Sequence, residues 1–410
     1  MTETERAAVV VIGGGPAGAS AALGLARLGI STVLLEQSDG SGNPVGECLA
    51  PSINPLLHRL GVSDALAASG AMPSHGNRSS WGGDGTVGER NFLREPFGHG
   101  WHLDRPAFNA TLLDAVEAVG ITIWRQTQAT TLERGDGTWT IETASPAGPR
   151  TLHADMLVDA SGQRAVVARR DGVRRRAFDT QIAAVAVLDS DGRAEKPHDA
   201  TTLIAAAEDG WWYAALLPNR RLAVAWFTDP DLMAASAAWR PAGWWDRLRG
   251  QNFVWNLISM YGFQRPERVR VRAAGSSLLT RPTGDGWIAV GDAAAAFDPL
   301  SSHGIGSALA GGVWAARTVA ATLAGDDTAF AAYSQRVFAS YASYLWERHA
   351  YYGDEQRWPD SPFWRRRHAE SSAPLEQDLW PLTRTVRSVP DRDIANIGFC
   401  SDKGFSVRLD

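Results

Sequence analysis

The chain predicts an α/β protein: a Rossmann-like dinucleotide-binding domain interrupted by a β-sheet domain and followed by a helical C-terminal segment. Three observations carry this. Residues 9–36 read VVVIGGGPAGASAALGLARLGISTVLLE, which is a strand, a glycine turn, a helix and a second strand. More than 250 residues later a second strand–turn–helix follows, WIAVGD and then an Ala-rich run over 304–323. Between the two, residues 176–275 carry short apolar stretches of strand character.

Val9 to Ile12 form an uninterrupted apolar run, as suits a parallel strand buried on both faces. Gly13 permits the tight turn, Gly15 lets backbone N–H groups approach a pyrophosphate, and Gly18 lets the helix pack closely on the strand. Ser31 to Leu35 form the second strand. Glu36 ends it, where a carboxylate accepts the two hydroxyls of a ribose. Residues 51–61 have helical spacing, 101–120 read as an amphipathic helix with a proline in its first turn, and 121–159 read as strands with turns at 135–137 and 145–148. IAAVAVLD, TTLIAAAE, WWYAALLP and RLAVAWF then predict a sheet that walls a cavity, with a Trp-rich helical piece at 239–260. The tail is helical to about 355 and continues as EQRWPDSPFWRRRH. It reads either as a helix packed on the dinucleotide domain, with Trp358 and Trp364 as anchors and its arginines paired to Asp360 and Glu355, or as a direct substrate contact.

At 410 residues with 44% hydrophobic content the chain supports two domains and a large core. The expected division is a discontinuous dinucleotide domain (1–75, 100–175 and 276–330), a substrate domain (76–99 and 176–275) and a C-terminal helical cap (331–410). Net charge is −5, and the RRR runs at 174–176 and 365–367 are short, so a nucleic-acid partner is not expected. All but two of the 40 Lys and Arg residues are arginine; the lysines are Lys196 and Lys403. Cys48 and Cys400 lie far apart without metal-ligand spacing, so no metal is expected and both thiols read as inert, in a reducing cytoplasm. The apolar stretch from Val9 is broken by its glycine turn, and neither a signal peptide nor a membrane anchor is expected.

The glycine fingerprint serves NAD and FAD alike. Gly291–Asp292 and the helix after them resemble the GD motif of flavoprotein hydroxylases, in which the aspartate meets the ribityl chain and the helix N-terminus points at the flavin ring. LVDASG at 157–162 resembles the D-G motif of the same superfamily. FAD is therefore the expected cofactor. With these segments assembled, the chain resembles a group A flavin-dependent monooxygenase of the branch that holds flavin-dependent halogenases and geranylgeranyl reductases. The motifs GECLAPSINPLLHRLG, NRSSWGGD, GHGWHLDRPAF, GDAAAAFDPLSSHGIGSAL and EQRWPDSPFWRRRH are similar to the flavoprotein maturases of tryptophylquinone enzymes. The resemblance implies a glutathione-reductase type FAD domain in the group A arrangement. It implies hydroxylation of a tryptophan side chain within a peptide or protein. It also implies that Gly13, Gly15, Pro16, Ala17 and Gly18 hold the pyrophosphate, Glu36 the adenosine ribose, Arg105 the phosphate or ribityl region, Asp292 the ribityl chain, and Gly304 with Ile305 the pyrimidine end of the ring. Cys48 departs from the serine or threonine common in relatives.

The expected chemistry is hydroxylation of an electron-rich, indole-type aromatic through a flavin C4a-hydroperoxide, with O2 as co-substrate. One dinucleotide fingerprint leaves two electron sources, NAD(P)H visiting transiently or a partner flavin reductase. His303, at the start of the second helix, is a candidate proton donor or a side-chain helix cap. Glu47 is the other titratable candidate, or an ordinary ion pair with an arginine. Trp81, Trp101, Trp211 and Trp212 are the candidate aromatic walls among seventeen tryptophans. Halogenation is the rival reaction. Halogenases resemble one another in a lysine, placed before mid-chain, that captures hypohalous acid, and here no lysine precedes Lys196. Their W-x-W-x-I-P motif is degraded to Tyr213–Pro218, YAALLP. A maturation factor that binds without turnover and a reductase of isoprenoid double bonds are the remaining readings.

Overall fold

The computed structural model of the protein describes residues 4–40, 48–83, 85–191 and 200–369. The elements that position the site begin with β1 (Thr4–Ile12), α1 (Pro16–Arg27), β2 (Thr32–Glu36), β3 (Gly76–Ser80), α2 (Arg105–Ala118), β4 (Thr122–Arg125) and β5 (Arg150–Asp159). They continue with β6 (Ile182–Asp189), β7 (Thr201–Ala207), β8 (Gly210–Leu217), β9 (Arg221–Thr228) and β10 (Arg270–Ala273). Last come β11 (Trp287–Ala289), α3 (Gly304–Leu323), α4 (Ala329–Asp354) and α5 (Pro362–Ala369).

The Val9–Ile12 run is buried because β1 is paired on both edges, parallel to β2 and to β5, with β4 and β11 continuing the ladder outward. Its side chains alternate between two cores. Val9 and Val11 face α1, α2 and α3; Val10 and Ile12 face the opposite core with Trp139 and Trp287. Helices α1 and α3 press together through glycine, since a Cβ at Gly312 would lie 2.5 Å from the carbonyl oxygen of Ala17. Asp104 caps α2 by accepting the N–H of Ala107 at 3.2 Å, and Pro106 sits in its first turn.

The four strand-like stretches form one seven-stranded sheet in the order β10-β6-β9-β8-β7-β3, closed by Val87–Asn91. Its register assigns each face. Ala183, Val185, Val187 and Asp189 of β6 lie opposite Phe227, Ala225, Ala223 and Arg221 of β9, and these opposite Trp211, Tyr213, Ala215 and Leu217 of β8. All of them share one face. Trp212 and Trp226 lie on the other, under the Trp-rich helices Pro241–Arg249 and Asn252–Met260, where Trp244 donates to the Ala184 carbonyl at 3.0 Å.

The tail meets the expectation that it packs on the dinucleotide domain only in α4, where buried Tyr333 donates to the Ala289 carbonyl at 2.7 Å. Helix α5 docks on the seven-stranded sheet. Phe363 and Trp364 are fully buried against Trp211 and Phe227, and the Trp364 indole donates to the Ala207 carbonyl at 2.9 Å. Of the expected charge partners Glu355 is found, paired with Arg357 at 2.6 Å, whereas Arg366 and Arg367 pair with Asp229, and Arg366 also with Asp231, rather than with Asp360. Among the described residues no helix is long and apolar enough to cross a membrane.

Candidate functional site

The glycine turn is built by close approach. Gly13 has φ +110°, and a Cβ there would lie 2.4 Å from the Ala160 carbonyl oxygen. A Cβ on Gly18 would meet the Gly13 oxygen at 1.8 Å, which fixes the helix against the turn. Gly15 differs: nothing lies within 4 Å of where its Cβ would be. Pro16 opens α1 with no side-chain cap, so the first N–H groups of the helix face that open space. Glu36 closes the side of it. Its carboxylate accepts the N–H of Gly14 at 2.7 Å and of Ser38 at 2.6 Å.

The second motif packs directly on the first. Gly291, at φ +57°, is so close to Ala17 that a Cβ would lie 2.8 Å from the alanine methyl. Asp292 follows. Enclosure raises its carboxyl from the usual range, against the pull of the Arg175 and Arg105 guanidiniums. Arg175 also donates to the carbonyls of Asp292 and Ala293, at 3.0 and 2.5 Å, and so holds the turn. Asp159 of DASG is fully buried and acts structurally: it accepts the hydroxyl of Ser161 and the N–H groups of Val167 and Ala168, capping a short helix.

Helix α3 begins at Gly304, again over open space and without a side-chain cap, while Ile305 turns into the core. The expectation that His303 caps this helix by its side chain fails. Its ring lies edge-on to Phe297 and Tyr344, with Nε2 3.9 Å from Glu347. Burial lowers its pKa to about 4, so it is a neutral imidazole at pH 7 and a poor general acid. Glu47 lies outside the described residues.

The sheet face carrying Tyr213 turns toward the loop that precedes α3, since Leu300 of that loop packs in the same cluster as Tyr213 and Trp211. Cys48 stands against it, its Sγ 2.8 Å from the Tyr213 hydroxyl and 3.1 Å from that of Thr202, and buried His102 reaches Thr202 at 3.1 Å. The floor between β6 and β8 is made of small residues, Ala223, Ala225 and Ala215. Trp211 stacks on Phe227 at 3.9 Å between ring centroids and donates to the Tyr352 hydroxyl. Trp81 packs edge-on to Trp211, Tyr352 and Trp364, so this pair anchors α4 and α5 rather than walling an open cavity. Trp101 donates to Asn54 at 2.8 Å beside His99. Trp212 is on the far face, 1% exposed among Trp226 and Trp244, because neighbours on a strand point opposite ways.

A family model described as FAD binding domain matches residues 6–340. The chain belongs to the FAD binding domain family. Among sequence relatives, LodB of Marinomonas mediterranea, named as an FAD-dependent oxidoreductase, is 32% identical over 366 residues, covering 88% of this chain and 97% of LodB. Among solved structures, the myxobacterial chondrochloren halogenase CndH superposes with a TM-score of 0.78 at 25% identity, over 88% of this chain and 86% of CndH. QhpG, a peptidyl tryptophan dihydroxylase essential for tryptophylquinone cofactor biogenesis, superposes with a TM-score of 0.69 at 25% identity, over 88% of this chain and 78% of QhpG. The protein is thus an FAD-dependent oxidoreductase with the fold of flavin hydroxylases and halogenases.

The residues present suit FAD. Two uncapped helix N-termini, the open space over Gly15 and Gly304, and the Glu36 and Asp292 carboxylates form a cradle with donors for phosphate and acceptors for hydroxyls. Two features beside these motifs escaped sequence reasoning. One is the contact of Cys48 with the Tyr213 and Thr202 hydroxyls at the sheet floor. The other is a buried ionic knot behind the α3 loop, where Asp298 accepts from Arg348 at 3.3 Å and from the Tyr352 hydroxyl at 2.8 Å. Arg348 also pairs with Asp179 at 3.0 Å; burial opposes its charge, yet the two carboxylates raise its pKa on balance. Among the described residues no group of three His, Cys, Asp or Glu is arranged to hold a metal.

Proposed function

We propose that this FAD-dependent oxidoreductase hydroxylates an electron-rich aromatic of the indole or tryptophan type, carried on a peptide or protein. The observation that carries the reading is the absence of an amine: the sheet face toward the loop before α3 presents Tyr213, Thr202, Cys48 and small aliphatic residues, and no lysine is among the described residues. Halogen transfer in the related enzymes draws on a lysine, and arginine, always protonated, supplies no nucleophilic amine. Oxygen transfer has no such requirement. The likeness to QhpG, a peptidyl tryptophan dihydroxylase, supports the same direction.

Bound in the cradle, FAD supplies the redox chemistry, taking up two electrons and activating O2. The chain's residues do the rest. N–H groups at the start of α1 would hold the pyrophosphate charge, those at the start of α3 would stabilise negative charge on the ring, and Asp292 with Glu36 would accept from the cofactor's hydroxyls. The alanine floor beside Tyr213 gives a flat ring room to lie. In this reading residues 76–99 and 176–275 form the substrate domain, and electrons arrive from NAD(P)H or from a partner flavin reductase.

The test compares oxygen incorporation into free tryptophan, carrier-linked tryptophan and a tryptophan-containing peptide at matched flavin reduction. Efficient incorporation into the linked forms is expected, because remote contacts then support positioning. Efficient, well-coupled hydroxylation of the free amino acid would overturn the polypeptide part of the reading.

A further inference from the structure

A cleft of 440 Å³ lies between the start of α2 and the seven-stranded sheet. It contains none of the glycine-turn or GD-motif residues and meets the FAD site only through Arg105, whose charge also acts on Asp292. Its lining is strongly basic. Arg105, Arg221, Arg265, Arg268, Arg270 and Arg272 line it against three acids, Asp104, Asp189 and Glu267. Asp104 is already taken by Arg221 at 3.0 Å. Arg265, Arg268, Arg270 and Arg272 are exposed and form no ion pair with a described residue.

The geometry of the arginines narrows what they hold. Residues 268–272 read RVRVR, and β10 is the edge strand of its sheet, paired only with β6. Arg270 lies opposite Val185 and Arg272 opposite Ala183, so these guanidiniums, with Arg268 in the same alternation, project from the face that bears Tyr213. Successive arginines on that face are spaced by two residues, about 6.7 Å. An extended chain with acids at alternate positions has the same repeat, and the free edge of β10 offers backbone N–H and C=O groups to pair with it. Charge on an edge strand also serves to block unwanted pairing, but such guards point to open solvent. Here they line a cleft that reaches Arg105, whose charge acts on Asp292 of the GD motif.

We propose that this cleft docks an acidic, extended segment of the polypeptide substrate, which adds as a strand along β10 and pairs its carboxylates with Arg268, Arg270 and Arg272. The proposal rests on the reading of a polypeptide-borne substrate and names the chemistry of its docking segment. Bidentate guanidinium–carboxylate pairs give the contact direction as well as charge.

Fluorescence anisotropy of the full-length FAD-loaded protein tests it, with a labelled peptide in which glutamate alternates with threonine and one tryptophan ends the run. The expected result is binding at least ten-fold tighter than that of the matched glutamine peptide, weakening as salt rises. The R268Q/R270Q/R272Q variant should lose ten-fold or more in affinity while keeping its flavin absorbance and melting temperature. The R268E/R270E/R272E variant should reverse the preference toward the matched lysine peptide. Equal binding of the glutamate and glutamine peptides, or unchanged affinity in both variants, overturns the proposal; so does loss of NADPH binding in the variants with peptide binding intact, which would make the cleft a nucleotide site. Binding is read without turnover, so a failure here leaves the hydroxylation reading to its own measurement.

Discussion

Glu36 accepts the N–H of Gly14 at 2.7 Å, so the acid that ends β2 is held at the mouth of the glycine turn before any ligand arrives. Its carboxylate keeps further lone pairs for ribose hydroxyls. Glu36→Gln keeps the shape and removes the charge, and is expected to weaken FAD binding by about ten-fold, the scale of one charge-assisted hydrogen bond of about 1.5 kcal/mol. Titration of apoprotein with FAD, followed by flavin fluorescence, measures it.

Gly15 allows a cleaner separation of folding from binding. Its backbone, at φ −67°, suits any residue, and no atom lies within 4 Å of its missing Cβ. Gly15→Leu should therefore leave the melting temperature of the apoprotein within a few degrees while abolishing the yellow colour. A variant that stays fully loaded would place the cofactor elsewhere.

The site was legible in the sequence where its determinants are local. Strand, turn, helix and acid lie within residues 9–36, and the predicted 304–323 helix is the observed α3. Determinants distant in sequence were not legible. Alternation says that Trp211 and Trp212 point opposite ways, yet only the packing of helices 241–249 and 252–260 decides which face they seal. The Asp298–Arg348 pair joins residues 50 apart, and the arginines of β10 acquire meaning only when that strand becomes a sheet edge. The tail's aromatics were read as anchors, but their sheet partner could not be.

That anchoring has a stability consequence. Trp364 is fully buried and its indole N–H satisfies the Ala207 carbonyl. Trp364→Ala should cost about 3–5 kcal/mol, seen as an earlier urea midpoint, and Trp364→Phe about 1–2 kcal/mol from the unpaired carbonyl.

Asp298→Asn should be comparably severe, about 3–5 kcal/mol, because it leaves the buried Arg348 facing one carboxylate instead of two. A melt within a degree or two of the parent would show that the knot is dispensable.

His303 sets a pH dependence. Its folded pKa, about 4, lies below the unfolded value of 6.5, so the neutral ring favours the fold fully above pH 6.5, and that contribution is lost as pH falls from 6.5 through 4. His303→Gln removes the proton site. The parent should lose about 3 kcal/mol more than the variant between pH 7.5 and 4, read from paired denaturant melts; parallel losses would mean that the ring titrates normally.

The central claim, oxygen rather than halogen transfer to an aromatic ring, is tested most directly by mass spectrometry of products formed under labelled O2 in bromide buffer with reduced FAD supplied. An indole-bearing peptide gaining labelled oxygen and no bromine is the predicted result. A brominated product would contradict the account.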